Sequence, residues 1–400
     1  TLLTCKTMFL KVLFWLMIFV VFYAYLGYGM ILFLLVQLKR LFKRDQPAAD
    51  PGEEPHVTLL VAAYNELDYV HDKVRNSLEL DYPKEKLHLI WVTDGSDDGS
   101  PELLATYPEV TVCHIPERHG KIGAMNRGMQ FVTSPDANSM LGRESVRRIV
   151  KLFRNPSTGC VSGEKRIMNR EKDAAAGAGE GIYWKYESLL KKWDAELYSV
   201  VGAAGELFAI RTALYEEVEP DTLLDDFMIS LRIAQKGYTI QYDPQAYAME
   251  TASANVKEEF KRKVRISAGG LQSVVRLLPL LNIFRYGILS FQYISHRVLR
   301  WTLAPLSLLL LIPVNLALAL RDGLFSFRFY PLLFWLQLAF YMVALLGWYL
   351  ENRSIKVKAF FVPYYFFIMN LSVFLGFRRY IRGSQSVNWD RAKRAAVTPV

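Results

Sequence analysis

Residues 12–38 hold no charged side chain, and neither do residues 301–320, 329–350 and 359–377. A helix of about 20 apolar residues crosses a bilayer, and a longer one crosses with tilt. Each run therefore predicts a membrane-spanning helix, and the rest of the chain must fold around these four. A cleaved signal peptide has a shorter apolar core and a small-residue cleavage site, so residues 12–38 are expected to persist as a helix. Lys39, Arg40, Lys43 and Arg44 follow it and place that end in the cytoplasm. The formal net charge of +9 belongs largely to such flanks, with Arg353, Lys356, Lys358, Arg378, Arg379 and Arg382 beside the later runs. Basic residues that track membrane edges argue for membrane lipids and against a nucleic-acid partner. Cys5, Cys113 and Cys160 are scattered. They fit neither a disulfide framework nor a zinc site, which suits a reducing compartment.

The expected organisation is an N-terminal transmembrane helix (1–44), a Pro/Gly-bearing linker (45–56), a cytosolic domain (57–270), interfacial helices (271–300), C-terminal transmembrane helices (301–377) and a basic tail (378–400). In the cytosolic part, "VTLLVAA", "LHLIWVT" and "VTVCHI" read as strands. "YVHDKVRNSLEL", "SPELLATY" and "KIGAMNRGM" read as helices between and after them, which predicts an α/β domain with a mostly parallel sheet. The helix "RESVRRIVKLF" and the strand "GCVSGEKRI" follow, then a small-residue loop at 173–181. Three crossings after a cytosolic domain put the basic tail outside, against the positive-inside tendency. Either the last segment re-enters or part of 277–295 also crosses.

In open α/β sheets, ligands bind beyond the carboxyl ends of the strands. Tyr64, Asn65 and Glu66 follow the first strand and Asp94 ends the second, so they stand where a nucleotide would dock, or they are ordinary turn residues. Lys121, beside Gly120 at a helix start, suits a diphosphate. Arg118 reads better as part of a solvated basic loop. Asp136 and Asn138 offer two oxygen ligands for one divalent cation, or cap the next helix. In "DTLLDDFMISLRIAQKGY" the apolar spacing is helical and Gly237 stops the helix. Thr222 and Asp225 fit a capping box, which leaves Asp226 at a helix N-terminus that favours its ionised form, as a general base or as simple dipole complementarity. The small residues of "GAAGELFAIR" allow a ligand, or a neighbouring element, close to the backbone.

Taken in order, "VAAYNE", "VTDGSDDGS", "HGKIGAMNRG", "DANSML", "GAAGELFAIR" and "LLDDFMIS" resemble the membrane-bound, inverting family 2 glycosyltransferases, the group of the cellulose, hyaluronan and poly-N-acetylglucosamine synthases. The resemblance implies a GT-A fold, a UDP-sugar donor, a glycan or lipid-linked acceptor, export partner subunits in some settings, and a multi-pass protein of the cell (inner) membrane with its catalytic domain in the cytoplasm. It assigns Tyr64, Asn65, Glu66 and Asp94 to the nucleoside, Lys121 to the diphosphate, and Asp136 with Asn138 to Mg²⁺ or Mn²⁺. Asp225 and Asp226 take the Glu-Asp position, with Asp226 as base, and Gly205, Glu206, Arg262 and Arg265 border the acceptor.

Two departures stand out. The polymerising members carry a Trp after the second basic residue of a Gln/Arg-x-x-Arg-Trp motif, and here that position is Ile266, which cannot stack on a sugar. The family also has a short apolar strand before the "DAN", whereas Pro135 abuts Asp136. The sequence as given lacks residues of the natural strand, or a natural deletion inactivates it, or residues 129–133 act as the strand. The first is favoured, because those residues more naturally extend the preceding helix. Two other functions compete with polysaccharide synthesis: non-processive transfer of one sugar to a lipid acceptor, and a catalytically impaired membrane component that binds nucleotide-sugar.

Overall fold

The computed structural model of the chain describes residues 2–42, 54–129, 140–168, 176–251, 256–353 and 358–383. Strands β1 (Val57–Ala63), β2 (Leu87–Asp94) and β3 (Val110–Ile115) form a parallel sheet in that order. Side chains alternate across it. Leu59, Val61, Leu89 and Trp91 pack into one buried cluster, and Leu60, Ile90 and Val92 into another on the opposite face. A sheet buried on both faces needs near-continuous apolar strands, which is why β1 and β2 read so clearly. A second, mixed sheet runs β4 (Met140–Leu141), β7 (Thr239–Thr251), β5 (Thr158–Met168) and β6 (Phe208–Ile210). β5 and β7 pair in parallel, and the two outer pairs are antiparallel.

Helix Gly120–Met129 covers the first sheet and is sequence-adjacent to the missing-strand question. Met129 ends that helix. The rest of 129–133, together with Asp136 and Asn138, lies outside the described residues. So do residues 43–53, which include most of the linker expected at 45–56, and residues 169–175, 252–255, 354–357 and 384–400.

Among the described residues four helices are long and apolar enough to cross a membrane: Cys5–Phe42, Leu303–Asp322, Phe329–Glu351 and Ala359–Ile381. The first contains a π-helical turn at Tyr23–Gly27. Polar side chains tie these helices together. Asn315 donates to Gln337 (3.1 Å) and Tyr25 donates to Asn370 (2.5 Å).

The structure corrects the expected boundaries in several places. Helix Ala176–Leu197 begins inside the loop expected at 173–181 despite three glycines in its first two turns, because packing of the rest of the helix, with Leu190 and Asp194 fully buried, overrides local propensity. Helix Val256–Arg276 runs through the boundary expected at 270. Gly269 and Gly270 do not end it. They let Leu223, Leu224 and the Trp301 ring press onto its backbone, where an added Cβ would come within 3 Å of each. Residues 277–295 are broken into short helices, Leu278–Leu281, Ile283–Tyr286 and Ile288–Tyr293, with Gly287 at φ +53. No piece of that stretch is long enough to cross.

Candidate active site

The carboxyl ends of β1 and β2 meet as expected, since Ala63 pairs with Thr93. Asn65 takes φ +52, a conformation asparagine tolerates better than most residues. It trades hydrogen bonds with the second loop: its amide donates to Asp97 (2.8 Å) and its carbonyl accepts from the Asp97 N–H (3.0 Å). Asp98 accepts from the N–H groups of Leu67 (3.0 Å) and Ser100 (3.1 Å). Burial works to raise its pKa, but these bonds and the Ser100 hydroxyl hold it below the ordinary carboxylate value. Glu66 is buried at the start of helix Leu67–Leu78.

Asp94 is buried and well partnered. It accepts from the His119 N–H (2.8 Å) and from Arg127 (2.9 Å). Its carboxylate thus fixes the loop that leads to Lys121. Arg127 was not singled out from the sequence, although its place seven residues after Gly120, on a helix facing β2, was the available signal. Arg118 is a correction. Its guanidinium lies 3.7 Å from the centre of the Tyr64 ring, and Gly95, at φ +70, leaves room for its Cβ. Stacking on an aromatic face, rather than solvation, governs that side chain.

Lys121, Gly205, Asp225 and Asp226 converge although they come from three separate stretches of chain. Lys121 Nζ is 3.2 Å from Asp225 Oδ2. A Cβ added at Gly205 would lie 3.1 Å from Asp226 Oδ2 and 3.7 Å from Lys121 Nζ. The loop carrying Gly205 is pinned to both sheet and helix: Ala204 N–H donates to Ser162 Oγ (3.1 Å) and Ala203 N–H to Ser230 Oγ (2.9 Å). Gly202, at φ +84, sits against the Phe227 ring, where any side chain would collide.

The expected capping box is absent. Helix Asp225–Gln235 is preceded by Leu224 with no side-chain cap. The Thr222 hydroxyl instead accepts from Arg276 (2.9 Å), and the Leu223 N–H is taken by Gln272 (3.0 Å). Long-range partners on helix Val256–Arg276 displaced the local bond, leaving Asp225 to Lys121. Asp226 also departs from expectation. Burial first, and the neighbouring Asp225 charge second, outweigh Lys121 and push its pKa up to about 7. The helix terminus does not keep it strongly ionised.

Glu206 faces Lys165 (2.6 Å), which also holds Glu250 (2.6 Å). Burial alone would raise the Glu206 pKa; Lys165 and Arg262 reverse this and hold it well below the ordinary value. Arg262 makes a forked pair with Glu259 (2.9 and 3.0 Å). Arg265 and Ile266, both half-buried, follow on the same helix. Sequence reading named Glu206, Arg262 and Arg265 but missed Lys165 and Glu250, which meet only when β5 pairs with β7, and Glu259, whose i,i+3 spacing to Arg262 on one helix was the available signal. Among the described residues no group of three or more His, Cys, Asp or Glu is set to hold a metal ion.

A family model described as "Glycosyltransferase like family 2" matches residues 55–269. Poly-beta-1,6-N-acetyl-D-glucosamine synthase of Staphylococcus aureus (strain MSSA476) is 27% identical over 263 residues, covering 62% of this chain and 62% of that one. The Staphylococcus epidermidis (strain ATCC 35984) enzyme of the same name is 24% identical over 235 residues, 55% of this chain and 56% of that one. The chain therefore spans less than two thirds of these curated relatives. A mannosyltransferase from Pyrobaculum calidifontis, solved with GDP-Man and Mn²⁺, shares the fold at a TM-score of 0.65 and 20% identity, over 94% of this chain and 100% of that one.

Proposed function

The chain is a glycosyltransferase belonging to family 2 with a GT-A domain, and from that premise we propose that it transfers a sugar from a UDP-sugar to a glycan or lipid-linked acceptor, with inversion, at a membrane that its apolar helices cross. The observation that carries this reading is the convergence of Lys121, Asp225 and Asp226 on Gly205, where an added Cβ would lie 3.1 Å from the Asp226 carboxylate; burial raises the pKa of that carboxyl to about 7. A general base serves best when its pKa lies near the working pH.

In this reading Tyr64, Asn65, Glu66 and Asp94 line the nucleoside side, and Lys121 faces the diphosphate. An acceptor hydroxyl gives its proton to Asp226. Its oxygen attacks the anomeric carbon from the face opposite UDP, and the bond to the diphosphate oxygen breaks with its electrons. Lys121, beside Asp225, balances charge on both sides of that step. Mg²⁺ or Mn²⁺ would be held by Asp136 and Asn138 and would neutralise the diphosphate. Glu206, held ionised by Lys165, Arg262 and Arg265 border the acceptor. With Ile266 in place of an aromatic residue, transfer of one or a few sugars fits better than long-chain synthesis. The localisation that follows is a multi-pass protein of the cell membrane with a cytoplasmic active site.

The test is UDP release by the detergent-extracted chain with a panel of UDP-sugars and Mn²⁺ or Mg²⁺, against Asp226→Asn. Metal-dependent release that the variant loses supports the transferase. UDP binding without release from any donor, in membranes that retain native acceptors, would favour the nucleotide-sugar-binding component instead.

A further inference from the structure

The segment "HRVLRW", residues 296–301, lies at the end of the stretch expected as interfacial helices. In the fold it lies against the back of the active site. Glu187, 2% exposed, is its hub. Arg297 Nη1 reaches Glu187 Oε1 at 2.7 Å, Arg300 Nη1 reaches Oε2 at 3.2 Å, and His296 Nε2 lies 3.1 Å from Oε1. His296 Nδ1 lies 2.6 Å from Asp194, which also accepts from Tyr28 and Gln292. Arg300 Nε donates to the Ala24 carbonyl (2.9 Å) within the π-helical turn of the first membrane helix.

The other arm of Arg297 points to the reaction centre. Its Nε donates to the Val201 carbonyl (3.3 Å). Val201 precedes Gly202, Ala203, Ala204 and Gly205, the run that rests on Phe227 and Ser230 and ends beside Asp226. Ser230 Oγ in turn donates to the Asp226 carbonyl (2.6 Å). Trp301 closes the same wall, edge-on to Phe227 at 5.3 Å and flat against Gly270. A buried carboxylate held by two guanidinium groups and an imidazole is a costly arrangement unless its geometry is kept, and here that geometry ends on the backbone bordering the base.

We propose that Arg297, braced by Glu187, is a positioning residue for sugar transfer: it fixes loop 199–206 against Asp226 and links that loop to the first membrane helix. This rests on the transferase reading for its consequence, though not for its geometry. A charged group on a rigid fork can serve two acceptors at once, whereas an ammonium on a flexible stem cannot hold both in this arrangement.

The test is Arg297→Lys in the full chain in detergent. Lysine keeps a charge for Glu187 and gives up the Val201 carbonyl. Amide hydrogen exchange should rise about fivefold or more in peptides covering 199–206 and stay level in β1–β3, because local openings report local contacts. UDP release at saturating donor should fall about tenfold with UDP affinity within about twofold, since small misplacements are costly to chemistry. Unchanged exchange in 199–206 would overturn the proposal, as would a rise shared by β1–β3 or a parallel loss of UDP affinity. If Arg297→Lys does not accumulate as folded protein, Arg297→Gln is judged by the same criteria. The exchange comparison needs no donor. Failure of the transferase reading shows instead as wild-type chain that binds UDP but releases none.

Discussion

The proposed nucleotide side and the proposed acceptor side of this site are built by different means. Beyond β1 and β2, short loops hold one another mainly through hydrogen bonds, such as the reciprocal pair of Asn65 and Asp97, with the buried Asp94–Arg127 ion pair at their base. Around Gly205 and Glu206, buried charge does the holding. Lys165 joins Glu206 and Glu250, Arg262 joins Glu259, and Arg297 joins Glu187 to a loop carbonyl. Loops that bind a nucleotide can be exposed and locally braced. In the proposed mechanism the base must be kept from water, and the fold surrounds it with buried ion pairs, most of them between segments far apart in the chain.

The largest effect that this contrast predicts is at Asp226. Asp226→Asn should lower transfer by about 10²–10⁴-fold, the usual contribution of a general base, with UDP binding retained. The same substitution should stabilise the fold at alkaline pH. The Asp226 pKa rises from 3.8 to about 7 on folding, so the folded state binds the proton more tightly. The stability this gives is complete below the unfolded value and is lost as pH rises through about 7. The melting temperature of Asp226→Asn should therefore gain on wild type between pH 5 and pH 8. Equal melting temperatures at pH 8 would sink the view that burial, rather than the helix terminus, governs this carboxyl.

Next in size is Lys165→Met. It strands Glu206 and Glu250 in a buried setting, where breaking a pair costs about 3–5 kcal/mol. Transfer should fall by more than about tenfold and thermal stability should drop clearly, while UDP affinity holds to within about twofold if the two sides are separate, as their separate bonding implies. A matching loss of UDP affinity would break the comparison. A smaller effect is expected in the pH profile. The rate at low donor should rise with pH along a limb centred near 7, and Asp225→Asn should move that limb to lower pH, because it removes the neighbouring negative charge. A limb that stays put would remove Asp225 from the coupling.

The two sides also differed in how legible they were. Continuous apolar runs in "VTLLVAA" and "LHLIWVT" placed β1 and β2, and with them Tyr64 to Glu66 and Asp94. The helix start in "LLDDFMIS" singled out Asp226, and the resemblance to family 2 added Gly205. What sequence reading got wrong were bonds that local rules assign and distant partners take. Thr222 and Asp225 had the spacing of a capping box, yet Arg276 and Lys121 claim them. Arg118 had the look of a solvated loop cation, yet it stacks on Tyr64. Lys165, Glu250 and Arg297 carried no local signal at all, since each gains its partners only when strands and helices far apart in the chain meet.

The smallest prediction sharpens the nucleotide side. Arg118 covers the Tyr64 ring at 3.7 Å, in a partly open setting where such a contact contributes about 0.5–1 kcal/mol. If the ring and guanidinium together form the wall on which the base rests, Arg118→Ala should raise the donor KM about two- to fivefold, in line with that energy, and leave kcat unchanged. Arg118→Lys should recover little, because an ammonium lacks the flat face that lies on the ring. A fall in kcat with KM unchanged would mean that Arg118 acts on the reacting centre. The loop between β3 and Lys121 would then belong to both sides of the site, tied to the end of β2 by the His119 N–H that donates to Asp94 at 2.8 Å.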